Sequence, residues 1–155
     1  MVAGFISRIY DWYDGEEQEV FRSVELNDKE VAELKAMTPE SIIDYLRSHC
    51  VGICNTVSGD EKYFIPCLNF GELRASLQVN YYVWRDRDDA GTPNEALITA
   101  SEFDAVCSGP ESVLDVAFYL DGRRICMGQM RVYQVCNFFN ELVGDGDYPE
   151  LQDRP

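Results

Sequence analysis

The longest regular pattern in the chain runs from Leu73 to Trp84. Its odd positions are Leu73, Ala75, Leu77, Val79, Tyr81 and Val83; its even positions are Arg74, Ser76, Gln78, Asn80, Tyr82 and Trp84. Alternation with period two predicts a strand with one buried face. At about 3.3 Å per residue the run would reach roughly 40 Å, twice a common strand, so it is expected at the centre of a sheet.

Shorter patterns fill in the rest. Residues 4–13 and 17–26 are rich in Ile, Tyr, Trp, Val and Phe around Asp14-Gly15, which predicts a hairpin with a two-residue turn. Phe5, Ile9, Trp12 and Tyr13 also fit helical spacing, a rival reading of the first arm. Asn27 with Glu30 three residues on reads as a capping box, and opens a helix through Met37. Thr38-Pro39-Glu40 starts a second helix, with Ile42, Ile43, Leu46 and Cys50 as its apolar stripe. Segments 51–57 and 61–68 flank Ser58-Gly59-Asp60 as a second hairpin, and Pro66 puts its strand at an edge or ends it.

Beyond the long strand, 85–94 is a charged loop bearing Gly91 and Pro93, and Ala96–Thr99 returns as a strand. Ser101 is the expected cap of a short helix to Cys107. Val113–Leu120 alternates again, and Asp121-Gly122 makes a tight turn. That turn would place Phe118 opposite Ile125 and Val116 opposite Met127. Val132, Val135, Cys136, Phe139, Leu142 and Val143 give a last helix over 129–143, closed by Gly144. The expected architecture is α+β: an antiparallel sheet built from hairpins, with helices packed mainly on one face. Residues 1–144 form a single domain in this reading, and 145–155 an acidic, loose tail.

Charge changes the picture. The 155 residues carry 13 Lys+Arg and 28 Asp+Glu, a formal net charge of −15. Residues 1–40 hold a net of −6 and residues 86–120 a net of −7, flanking a balanced middle over 41–85. Such a surface repels nucleic acid and anionic membranes and attracts basic partners. No stretch approaches the ~20 apolar residues of a membrane helix. Arg8, Asp11 and Asp14 interrupt the first residues in a way a signal peptide does not, so a cytoplasmic location is expected. Six cysteines, at 50, 54, 67, 107, 126 and 136, then read as reduced thiols rather than a disulfide framework.

Candidate chemistry is sparse. The one histidine, His49, adjoins Cys50, but neighbours on a helix point about 100° apart and make no ready dyad. His49, Cys50, Cys54 and Cys67 lack the second close pair of a structural zinc site. Asp86, Asp88 and Gly91 imitate a calcium loop, yet Ala90 and Leu97 stand where oxygen ligands belong. No phosphate-binding glycine loop or nucleophile elbow occurs. Catalytic, metal and cofactor residues are therefore expected to be none, and the chain leans away from being an enzyme.

Two surfaces remain. One is the even face of the long strand, with Arg74, Gln78, Asn80, Tyr82 and Trp84; the other is the acidic loop, with Asp86, Asp88, Asp89 and Glu95. Together they suggest a binding protein that docks on a basic protein partner. It would act as an inhibitor occupying the nucleic-acid site of that partner, in the manner of small acidic proteins of phages and mobile elements. The alternatives are a small-molecule-binding domain or enzyme with a pocket on the sheet, and a structural subunit of an assembly.

Overall fold

A computed structural model describes residues 1–11, 13–49, 51–55, 61–82, 95–97 and 99–153. The chain is α+β. In order it forms β1 (Val2–Tyr10), β2 (Glu17–Glu25), α1 (Asp28–Ala36), α2 (Pro39–Ser48), β3 (Val51–Asn55), β4 (Glu61–Phe64) and β5 (Cys67–Phe70). Then follow β6 (Leu73–Tyr82), β7 (Glu95–Leu97), α3 (Ala100–Val106), β8 (Val113–Leu120), β9 (Arg123–Arg131), α4 (Val132–Leu142) and β10 (Glu150–Gln152). The strands make two sheets. A large one has the order β7-β3-β4-β6-β8-β9, with β5 also on β6; a small one has the order β10-β1-β2.

The long strand is central, as its pattern predicts. Leu73, Ala75, Leu77 and Val79 are buried, while Arg74 is exposed and Ser76, Gln78 and Asn80 are half-buried. The expected segment 61–68 is two strands, β4 and β5, laid end to end along β6. Phe64 pairs with Val79 and Cys67 with Ser76, so the register is the same on both sides of the interruption. Pro66 causes the break: its carbonyl accepts from the Leu77 amide at 3.1 Å, but it has no N–H to return.

Both first helices begin as predicted. Asn27 and Glu30 form a reciprocal capping box, and Thr38 does the same with Ser41 behind Pro39. Ile42, Ile43 and Leu46 are buried; Cys50 lies outside the described residues. The α1 carbonyls left open at its C-terminus are met by α4, where the Asn140 amide donates to Leu34 O at 2.7 Å and Met37 O at 3.2 Å. The Cys136 thiol donates to the same Met37 carbonyl, and burial holds it above the ordinary thiol range.

Five expectations are corrected. The N-terminal hairpin forms, but Asp14-Gly15 is not a two-residue turn. Tyr10 pairs with Glu17, Asp11 N–H donates to Glu16 O, and Gly15 N–H closes back on Asp11 O, giving a longer loop. The short helix is capped by Thr99, whose hydroxyl accepts from Glu102 N–H, rather than by Ser101; Glu102 completes the box. The Asp121-Gly122 turn is present, with positive φ at both residues, and Tyr119 pairs with Arg124. One residue further the register slips: Phe118 faces Cys126 and Val116 faces Gly128. Ile125 is the extra residue of a bulge, so Ile125 and Cys126 are both buried and Met127 is 45% exposed. The last helix starts at Val132, because 129–131 continue β9, and Gln134 closes back on the Arg131 amide at 2.8 Å. Finally, the tail supplies β10, which pairs parallel with β1 and buries Leu151.

One hydrophobic core joins these parts, and α4 is its keystone. The Phe138 ring lies 5.8 Å from Phe5 of the small sheet and 5.2 Å from Phe118 of the large sheet. Its neighbour Phe139 packs on Phe70 at 5.4 Å. Aromatic pairs at these distances contribute about 0.5–1.5 kcal/mol each beyond area burial. The helices share the buried side of the large sheet.

Candidate protein-binding surface

The outer face of the small sheet follows from plain alternation. On β1, Ala3, Phe5 and Ser7 point inward, which sends Val2, Gly4, Ile6, Arg8 and Tyr10 outward. The antiparallel register places Glu25, Ser23, Phe21, Glu19 and Glu17 of β2 beside them. Glu150 comes alongside Ile6 and Gln152 alongside Arg8.

At its centre the face is apolar. Phe21 is 59% exposed, Val2 68% and Tyr148 58%. Phe21 and Tyr148 touch edge to face at 5.1 Å, bracketing Gly4. A Cβ on residue 4 would stand 2.6 Å from Phe21 Cζ, so a side chain there would make the ring shift. Tyr10 and Tyr13, both exposed, extend the aromatic surface past one end, and Met1 past the other.

The rim is acidic. Glu17, Glu19, Glu25 and Glu150 surround the aromatics, with Asp11, Asp14 and Glu16 in the loop beyond Tyr10. The cation within this ring is Arg8. It binds Glu150 with two hydrogen bonds of 3.0 Å and approaches Glu19 at 3.3 Å. The hydrogen bond with Arg8 draws the Glu150 carboxyl below the ordinary carboxylate range and raises the guanidinium in turn. Arg8 thus fixes two carboxylates in place without neutralising the rim. An apolar centre inside a ring of one charge is the anatomy of a docking surface.

The residues expected to bind from the sequence are distributed differently. Gln78 and Asn80 are brought together: Gln78 donates to Asn80 at 2.8 Å, and Asn80 donates to Asp115 across the strand pair. Arg74 shares their face, in a row with Asn69, Tyr119 and Arg124. On β6, β8 and β9 this face carries Arg74, Arg124 and Arg131 against Asp115, and the pairing through β4, β3 and β7 brings Glu61 into register with Tyr82 and Glu95 into register with Asn80. Tyr82 lies in β6 and Glu95 in β7, while Trp84, Asp86, Asp88 and Asp89 lie outside the described residues. The outer face of the small sheet was open to sequence reasoning through the alternation of Glu17, Glu19, Phe21, Ser23 and Glu25, where one aromatic sits in a polar series.

His49 is the C-cap of α2, with its ring stacked on Tyr45 at 4.1 Å and Nδ1 2.8 Å from the Tyr45 carbonyl. Among the described residues, no three His, Cys, Asp or Glu side chains cluster as metal ligands, and no helix is long and apolar enough to cross a membrane. No protein family model, curated protein or solved structure matches this chain.

Proposed function

We propose that this protein is a binding module that docks on a basic protein partner through the outer face of the β10-β1-β2 sheet. The observation that carries this reading is the exposed Phe21–Tyr148 pair, ringed by Glu17, Glu19, Glu25 and Glu150. Burying the aromatics supplies affinity, and the carboxylates select a cationic surface and speed encounter. Proteins that hold phosphate backbones present such cationic surfaces, so inhibition by occupying a nucleic-acid site is the form of action this chemistry favours. The net charge of −15 works in the same direction, because it attracts a cationic surface and disfavours binding of nucleic acid to this chain.

The test is affinity capture from a native lysate with wild-type protein and with the Phe21→Asp and Tyr148→Asp variants. The expected result is a basic protein retained by wild type and lost from both variants. Its affinity should fall steeply as NaCl rises from about 0.05 to 0.5 M, where screening becomes strong. A partner bound equally by the variants, or bound with no dependence on salt, would overturn the proposal.

A further inference from the structure

A cavity of about 370 Å³ opens where the two sheets part company. At one end they are stitched together: Ser7 Oγ donates to Ile125 O, the Cys126 thiol to Gln152 O, and the Met127 amide to Asp153 Oδ1. Past Met127 the edges of β9 and β10 diverge, Gly128 contributes no side chain, and α4 forms the wall between them. Each of these strands ends its own sheet, so the edges bordering the cavity have no strand neighbour among the described residues.

Its lining is divided by chemistry. Val116, Phe138 and Leu151, all buried, make an apolar floor. Asn137 and Glu141 of α4 stand at the rim, and among the described residues neither side chain has a hydrogen-bond or ion-pair partner. A floor that takes methylenes beneath acceptors that include a carboxylate suits a long side chain with a cationic head. The planar fork of a guanidinium can engage several such acceptors at once, which a compact ammonium cannot. The unpaired strand edges offer main-chain groups to an extended segment carrying that side chain.

We propose that this cavity receives an arginine side chain presented on an extended segment of the partner. The inference rests on the reading of a basic protein partner and names the group that partner inserts.

The test is a titration of the full chain, labelled with ¹⁵N, against a short capped peptide with one central arginine. Parallel titrations use the citrulline, lysine and norleucine analogues and free arginine amide. The expected result is amide shifts concentrated at Gly128–Met130, Asn137, Glu141 and Leu151, with the arginine peptide tightest. Glu141→Gln should weaken it about tenfold, the effect of losing one charge-assisted hydrogen bond. Gly128→Val should abolish binding by filling the cavity, with the remaining spectrum reporting that the fold persists; if it does not persist, Glu141→Gln decides. Shifts elsewhere, equal binding of the citrulline peptide, or no effect of Glu141→Gln would overturn the proposal. Free arginine amide binding as tightly as the peptide would overturn the peptide part of it. Phe21→Asp should leave peptide binding intact, so failure here with Phe21-dependent capture preserved sinks this inference alone.

Discussion

Gly71 shows how much a single position can hold. It sits in the two-residue turn between β5 and β6 with φ of +58°, a region where an L side chain is strained. A Cβ there would also stand 2.4 Å from the Glu25 carbonyl oxygen, which is backbone at the end of β2 and cannot step aside cheaply. Conformation and contact therefore exclude the same substitution for independent reasons. Gly71→Ala is expected to lower stability by at least about 2 kcal/mol, measured by urea unfolding. A loss below about 0.5 kcal/mol would mean that β2 and the β5–β6 turn do not approach as described. Gly4 on the outer surface is a milder case, because the atom a Cβ would meet is the tip of the exposed Phe21 ring, which can move, rather than backbone.

Among the elements, the β8–β9 hairpin separates what a pattern can specify from what it cannot. Asp121-Gly122 names its turn correctly because both residues tolerate positive φ. The turn alone implies Val116 opposite Met127, and the bulge at Ile125 overrides it. Nothing in R-R-I-C-M-G announces a bulge, because Ile125, Cys126 and Met127 are all apolar and the pattern has no preference among them. The choice is made by tertiary contacts: Ser7 holds the Ile125 carbonyl and Gln152 the Cys126 thiol. Lysine scanning distinguishes the registers. Met127→Lys is expected to stay within about 0.5 kcal/mol of wild type and Cys126→Lys to cost about 3 kcal/mol or more, read from thermal or urea unfolding. The reverse order would restore the unbulged pairing.

The same contrast explains the rest of the legible and illegible parts. Caps at Asn27 and Thr38 were readable because they are local chemistry, as was the buried side of β6, which needs only period two. The strand β10 was not, because three residues with one apolar member, Leu151, carry no periodicity. Its pairing is dictated by β1, more than a hundred residues away. The candidate surface was half visible. Phe21 stands out within β2, but Tyr148 becomes its partner only through β10.

At the scale of the whole molecule, charge and packing oppose each other. A formal charge of −15 on 155 residues is self-repulsive, and ion pairs such as Arg8–Glu150 and Arg47–Asp104 recover only part of it at the surface. Added salt screens repulsion between many distant charges more than it weakens pairs in contact. The midpoint of thermal unfolding should therefore rise by a few degrees between about 0.01 and 0.2 M NaCl, followed by circular dichroism. A midpoint that falls with salt would show that specific pairs dominate the electrostatics. The core that withstands this repulsion is continuous across both sheets because Phe138 touches Phe5 and Phe118 at once.

The parallel pairing of β1 with β10 has a consequence for the order of events on the ribosome. Ile6 lies beside Glu150 and Ser7 beside Leu151, so β1 waits for a strand more than a hundred residues further along the chain. The β1–β2 and β8–β9 hairpins need only local closure and can form as they emerge, whereas the small sheet is complete only after residue 152 has left the exit tunnel. Until then the β1 edge is bare, and it is flanked on its other side by a strand bearing Glu17, Glu19 and Glu25. Carboxylates beside an open strand edge oppose its pairing with a second copy, so the charge pattern of β2 bears on the unfinished sheet as well as on the finished one.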